Sequence, residues 1–310
     1  RSRIRCARRP GHVCPVIANR GLKRLLGPTI TPRWLGLQST GKVFRCLFFN
    51  AAQPDKDVGY TSRPALRRHT VSRIDRYFAG KKAAISGAGD GIGRALAIQL
   101  NAAGCDLWLC DINETKLLQT CELLDGAGGR VASRKVDCGS RDQIFQWAEA
   151  VAAEADCLDA LFNNAGAGYG ARFEDSTEAN FQWLIDINFW GVVHATRAFL
   201  PLLTQSERGH LVNLSSIFGM VGIPTQSAYN AAKFAVRGFS EALQAEYLDS
   251  RLAVTCVHPG GIQTNIARSA RIDGDGQASS EDERDAQFRK LAHTTPERAA
   301  DIILHATVRG

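Results

Sequence analysis

Tyr229 and Lys233 stand four positions apart in the small-residue stretch "QSAYNAAKFAVRGF" (226–239). On a helix they lie one turn apart on one face. A free phenol has a pKa of about 10, too high for a good base near neutrality. An ammonium group one turn away favours the phenolate and lowers that value, which would make the pair a proton-transfer site. The same two residues also arise on an ordinary amphipathic helix, with a half-buried Tyr and a Lys reaching for water. Their neighbours have to decide.

A second group of residues suits phosphate and ribose. "ISGAGDGIG" (85–93) carries Gly87, Gly89, Gly91 and Gly93 between a short apolar run and a stretch with helical spacing. Glycines there permit a tight turn and let the backbone approach a pyrophosphate. The helix N-terminus behind them supplies free N–H groups and the positive end of a dipole. About 20 residues on, Asp111 ends the next apolar run, where a carboxylate can accept bonds from adenosine ribose hydroxyls and would repel a 2′-phosphate. Asp90, inside the turn, adds a second negative group where a phosphate binder would want Arg or Lys. Both acids favour NAD over NADP. Asp137 closes a third run, where an adenine edge could be met. "NNAG", Asn163 to Gly166, closes a fourth, and its small residues would let the chain pass close under a nicotinamide and its ribose.

These residues need elements to hold them. "KKAAIS", "CDLWLCD", "RVASRKVD", "CLDALFNN", "HLVNLSS" and "LAVTCVHP" read as six strands. Helical patterns separate them, among them about 176–188, 189–204 and 227–249, and "TPERAADIILHATV" reads as a last helix with Pro296 near its first turn. Alternating strands and helices imply βαβ units with right-handed crossovers. The expected fold class is therefore α/β, a single doubly wound, mostly parallel Rossmann-type sheet with helices on both faces. The polar run "RIDGDGQASSEDERDAQFRK" (271–290) is expected to be an excursion between the last strand and last helix, a lid over a site or else a plain solvated loop.

Charge is unevenly spread. The 310-residue chain is 45% hydrophobic with a net charge of +7, but residues 1–80 hold 17 of its 38 Lys and Arg and only 3 of its 31 Asp and Glu. The basic segment lacks periodicity and is broken by prolines. We read residues 1–76 as a disordered or artefactual extension, ahead of an Arg-rich targeting segment or a basic arm for nucleic acid or anionic lipid. The domain is expected over 77–310. No apolar run approaches the roughly 20 residues of a membrane span. The nine cysteines form no C-x-x-C pair or metal spacing. Cys105, Cys110 and Cys256 read as core residues of a reducing, cytoplasmic setting.

Taken in order, these motifs resemble the short-chain dehydrogenase/reductase family in its ordinary single-domain form. "SGAGDGIG" is similar to the family's T-G-x-x-x-G-x-G turn, with Ser86 for Thr; "NNAG", "IDINFWG", "NLSS", "YNAAK" and "HPGGIQT" follow at family distances. The resemblance implies hydride transfer between a nicotinamide cofactor and a secondary alcohol or ketone. It assigns Tyr229 as acid/base, Lys233 as its neighbour and a ribose ligand, Ser216 (13 positions before Tyr229, chosen over Ser215) as the substrate-oxygen holder, and Asn188 as the holder of a proton-relaying water. Cofactor contacts are implied at Gly87, Gly89, Asp90, Gly91, Ile92, Gly93, Asp111, Asp137, Cys138, Asn164, Ala165, Gly166, Tyr229, Lys233, Pro259, Gly260, Ile262 and Thr264. No metal is implied. The family's seventh strand is not visible after the last helix, which puts the sheet edge in doubt. A homodimer or homotetramer paired through the helices at 189–204 and 227–249 is the family expectation. Loop 167–175, the stretch 217–224 and the excursion would wall a mostly apolar pocket, which suits a neutral or hydrophobic substrate. A silent dinucleotide-binding sensor or scaffold of the same fold is the alternative, followed by a nucleic-acid-binding basic-arm protein and a sugar-nucleotide epimerase or dehydratase.

Overall fold

A computed structural model describes residues 46–48, 72–124, 128–274 and 280–309. The chain divides into a unit Arg1–Val43, outside the described residues, and a unit Phe44–Gly310 that holds everything below. Most of the basic extension therefore lies outside the described residues too.

The second unit is a parallel sheet. Its strands are β1 (Cys46–Phe48), β2 (Lys82–Ser86), β3 (Asp106–Asp111), β4 (Val131–Lys135), β5 (Ala160–Asn163), β7 (Gly209–Leu214) and β8 (Leu252–His258), in the order β1-β8-β7-β5-β2-β3-β4. All pairings are parallel. The order reverses direction at β2, between β3 and β5, which is where such sheets open a crevice at their carboxyl ends. The six expected strands are all present.

The strands show why the sheet is buried on both faces. Along β2, Ala83 and Ile85 join one apolar cluster and Ala84 the other; Leu107 and Leu109 of β3 face the first, Trp108 and Cys110 the second. This is the period-2 alternation of a pleated strand with apolar residues on both sides. The first cluster is covered by α1 (Arg73–Phe78), α2 (Gly91–Ala102), α3 (Glu114–Leu124) and α9 (Pro296–Arg309). The second is covered by α4 (Arg141–Ala152), α6 (Gly191–Gln205) and α7 (Ser227–Glu246).

Three features differ from expectation. Helix α1 begins before residue 77, and its Ile74 and fully buried Phe78 belong to the core. A capping box of Ser72 and Asp75 starts it, and the Tyr77 hydroxyl lies 2.6 Å from His210 Nε2. The ordered domain thus reaches back to Ser72. Second, β1 pairs with β8 (Cys46↔Cys256, Phe48↔His258), so a strand from the basic segment occupies the edge left in doubt. Third, the excursion is partly ordered: a second sheet pairs β6 (Tyr169–Gly170) with β9 (Arg271–Ile272), and α8 (Glu281–Leu291) follows, its capping box formed by Ser280 and Glu283. Cys105, Cys110 and Cys256 are buried in the core. Among the described residues, no helix is long and apolar enough to cross a membrane.

Candidate active site

The glycine turn sits at the carboxyl end of β2. Gly87 and Gly91 have positive φ (67° and 52°), a conformation L side chains rarely adopt. A Cβ on Gly93 would lie 2.0 Å from the Gly87 carbonyl oxygen, so α2 meets the turn backbone to backbone. A Cβ on Gly89 would lie 2.9 Å from the Asp111 carboxylate. Asp111 Oδ2 accepts the Gly89 N–H at 2.9 Å, and Oδ1 accepts the Asn113 N–H at 2.8 Å. A carboxylate has about four lone-pair sites, so two remain for a diol. The narrow turn, the helix start and this carboxylate fit the pyrophosphate and ribose of a dinucleotide.

Asp90 is tied down. It caps α2 through the Gly91 N–H at 2.7 Å, pairs with Lys116 Nζ at 2.7 Å and accepts from Asn265 Nδ2 at 2.6 Å. Burial works against its charge, but these three donors outweigh it and hold the carboxyl below its usual range. Asn265 thereby joins the loop after β8 to the glycine turn. Beside it, Thr264 packs where a Gly91 Cβ would go, 2.9 Å from its methyl group. Ile262 is buried and bridges Thr294, Pro259 O accepts the Ile217 N–H, and Gly260 lies between them on the same loop.

Ser86, the substitute for Thr, keeps the hydroxyl's work: its Oγ accepts the N–H groups of Asn164 and Ala165, each at 3.1 Å. The Asn164 amide donates to Ser86 O and Gly87 O, both at 3.0 Å, so this side chain braces the turn. Asp137 Oδ1 accepts the Gly139 N–H at 2.8 Å. The Cys138 carbonyl lies 2.6 Å from where a Gly191 Cβ would stand, so the start of α6 presses on this loop. Ile92 is buried on the first turn of α2.

The residues expected to transfer the proton converge on α7. Lys233 is buried, and its Nζ donates to Leu214 O at 2.9 Å. Nζ lies 5.7 Å from the centre of the Tyr229 ring. The Ser216 hydroxyl, which accepts the Phe218 N–H at 3.1 Å, stands close enough to the Tyr229 phenol to pull its pKa down. Ser215 turns the other way and donates to Lys233 O at 2.8 Å, so Ser216 is the serine that meets Tyr229. Gly166 lies between the last two members of the set: a Cβ there would be 3.2 Å from Asn188 Oδ1 and 3.6 Å from Lys233 Nζ.

Asn188 lies in a single π turn, Asp186–Trp190, between α5 (Glu178–Ile185) and α6. Such a bulge rotates a side chain off the regular helical face and is common at functional sites. The Asn188 amide makes a reciprocal pair with the Ala167 backbone, accepting its N–H at 2.8 Å and donating to its carbonyl at 2.9 Å. The side chain is thus fixed against the backbone of the loop that follows β5.

The pKa shifts run against expectation. Burial pushes the Tyr229 phenol up to about 12, with the Ser216 hydrogen bond opposing it. Burial pushes the Lys233 amine down to about 8. Loss of water therefore drives both shifts, each toward the neutral form. Three contributors lay outside the sequence reading: Lys116, Asn265 and His258, whose Nδ1 donates to Ser216 O at 3.1 Å. Their partners are 26, 175 and 42 residues away, so no local pattern marked them.

Comparison with known proteins agrees with this geometry. The family model for short chain dehydrogenases matches residues 81–274. A Mycobacterium tuberculosis protein named "Putative oxidoreductase SadH" is 44% identical over 75% of this chain and 84% of its own length. Epidermal retinol dehydrogenase 2 of Mus musculus is 35% identical over 65% and 67%, and a 3-ketodihydrosphingosine reductase of Bacteroides thetaiotaomicron is 33% identical over 67% and 73%. Among solved structures, a short chain dehydrogenase/reductase from Burkholderia phymatum in complex with NAD superposes with a TM-score of 0.68 at 30% identity, covering 75% of this chain and 87% of that one. With these matches added to the glycine turn, the Asp111 carboxylate and the gathered Ser216, Tyr229 and Lys233, the chain belongs to the short-chain dehydrogenase family and is an oxidoreductase of that family.

Proposed function

We propose that the protein is an NAD-dependent secondary alcohol dehydrogenase or ketone reductase in which Tyr229 moves the proton at the substrate oxygen. The observation that carries this reading is the meeting of the Ser216 hydroxyl and the Tyr229 phenol one helical turn from buried Lys233. The nicotinamide, when bound, supplies the hydride chemistry. The chain's own residues do the rest. Ser216 holds the substrate oxygen and donates to charge that develops there. Tyr229 gives up its proton to a ketone or takes one from an alcohol. Lys233 reaches toward the nicotinamide ribose, orienting the cofactor and lowering the barrier to ionising the phenol. Asn188 and the small residues Ala165 and Gly166 keep the wall of the site close and fixed.

The preference for NAD rests on Asp111, whose carboxylate would repel a 2′-phosphate. The nearby cations offer that phosphate little: Lys116 is paired with Asp90, and Arg94 donates to Thr120 and to the Gly89 carbonyl. Solved relatives of this family hold either cofactor, NAD in one case and NADPH in another, so the acid is the discriminating feature of this chain. Apolar Phe218, edge-on to Tyr229, and the lipid-like substrates named for two relatives support a hydrophobic alcohol or ketone. Pairing of α6 and α7 between subunits and a cytoplasmic location complete the reading.

A panel of secondary alcohols and ketones, assayed with NAD(H) and NADP(H), tests it. Turnover of at least one apolar pair with higher kcat/KM for NAD(H) is expected. NAD binding without turnover of any alcohol or ketone would favour the silent sensor instead.

A further inference from the structure

Among the described residues, Asp273 is a heavily bonded side chain outside the glycine turn and the Tyr229 neighbourhood. It follows β9, within the excursion after β8. Oδ2 accepts from the Tyr169 hydroxyl at 2.7 Å, from the Thr177 N–H at 3.3 Å and from the Thr177 hydroxyl at 3.1 Å; Asn180 Nδ2 lies 3.0 Å from both oxygens. The Tyr169 hydroxyl has one proton and two acceptors within reach, Asp273 and, at 2.8 Å, Ser176 Oγ. The charged acceptor takes the proton, and Ser176 donates back to the phenol oxygen. Hydrogen bonds from Asn180, then Tyr169, then Thr177 hold the Asp273 carboxyl below its usual range despite some burial.

The backbone follows the same path. Asp273 N–H donates to Gly170 O at 3.1 Å, and Arg271 N–H to Gly168 O at 3.1 Å. The Arg271 guanidinium stacks 3.7 Å over the Trp183 ring and donates to Asn180 Oδ1 at 3.1 Å. Gly274 turns away with φ of 70°, and a Cβ there would lie 2.6 Å from Asp175 Oδ2. The excursion is thus fastened to the segment 168–183. That segment continues directly from Ala167, which Asn188 grips, and its Ala171 bonds Thr225 at the start of α7. An ordinary surface turn would satisfy a carboxylate with water; here three side chains and one backbone N–H of segment 168–183 converge on it.

We propose that Asp273 is a positioning residue for the substrate: it latches the excursion to segment 168–183 and so sets the wall of the alcohol pocket, without contributing to cofactor binding. The proposal rests on the alcohol/ketone reading above. Its test compares the full-length chain with Asp273→Ala, Asp273→Asn and Tyr169→Phe. Substrate KM and kcat are measured with the best pair from the panel at saturating NAD(H), NADH affinity by fluorescence, and trypsin cleavage after Arg271 in the absence of substrate.

Asp273→Ala is expected to raise the substrate KM about tenfold, the effect of unpairing two or more partly buried donors. Its kcat should change by less than about threefold, its NADH affinity should hold, and cleavage after Arg271 should quicken. Asp273→Asn, which keeps one carbonyl acceptor, should fall between. Tyr169→Phe should raise KM, and the Tyr169→Phe/Asp273→Ala double variant should go little beyond Asp273→Ala, since the Tyr169–Asp273 bond is already lost in the latter. An unchanged KM, or equal losses of NADH affinity and substrate affinity, overturns the latch. If the wild type binds NADH yet turns over no alcohol or ketone, the reading of the reaction fails, and the latch is judged by trypsin alone: equal cleavage in wild type and Asp273→Ala overturns it.

Discussion

At the scale of residues, Tyr229 and Lys233 are both shifted toward their neutral forms by the same cause, the removal of water. The sequence suggested only the charge of Lys233 acting on Tyr229; how much water each would lose depends on strands and loops distant in the chain. Tyr229→Phe keeps the ring and its edge contact with Phe218 and removes the proton. We expect turnover to drop by about 10²–10⁴-fold, the usual worth of a positioned acid or base, with NADH binding retained; substantial turnover by this variant would sink the mechanism. Lys233 also leaves a signature in stability. Its amine titrates at 10.5 when unperturbed and at about 8 in the folded protein. Between those values the folded state binds fewer protons than the unfolded one, so stability rises with pH across that window. Tyr229, held up to about 12, acts oppositely only above about 10. The urea midpoint of wild type relative to Lys233→Met should therefore climb from about pH 8 to about pH 10; a constant difference would show that the amine is hydrated. Lys233→Met should also move the rising limb of the pH profile of alcohol oxidation to higher pH. Asp111→Ala should weaken NAD and raise the NADP/NAD ratio of kcat/KM. An unchanged ratio would remove this acid from cofactor choice.

At the scale of elements, the βαβ alternation and glycine turn were legible because each rests on local periodicity and on a conformation few residues adopt. Gly93 shows how stringent that is: a Cβ there would lie 2.0 Å from the Gly87 carbonyl oxygen, closer than any side chain allows. Gly93→Ala should force α2 off β2, costing several kcal/mol, on the order of the largest single-substitution losses, and abolishing NADH binding. Near-native melting with intact binding would contradict the packing described. Other elements escaped the reading for identifiable reasons. The helix Glu281–Leu291 is polar all round, so no apolar stripe announced it; its Ser280–Glu283 capping box was the available sign. The box of Ser72 and Asp75 was likewise hidden in a segment set aside for its charge. The pairing of Tyr169–Gly170 with Arg271–Ile272 is too short for any period to register. The π turn at Asn188 is a one-residue change in helical bonding that the two expected helices, meeting at 188–189, marked only as a junction.

At the scale of the whole molecule, the domain boundary has a direct test. A chain beginning at Ser72 keeps α1 and should fold and bind NADH. One beginning at Lys81 loses Phe78, whose fully buried ring is worth about 3–5 kcal/mol when truncated, and should be recovered unfolded or aggregated. Equal behaviour of the two would mean α1 contributes nothing. The same comparison separates α1 from β1, which both chains lack. That edge strand offers three paired residues, joined to β8 across some two hundred positions of sequence, whereas β2 is held on both sides at the centre of the sheet. Amide exchange should divide accordingly. The amides of β8 that point toward β1 should trade hydrogen for deuterium through a local opening of that short pairing, while those of β2 wait for the whole sheet to come apart. His258, which pairs with Phe48 in β1 and holds the Ser216 carbonyl, stands at that boundary. The serine proposed to hold the substrate oxygen is therefore braced from the side of the sheet expected to breathe first.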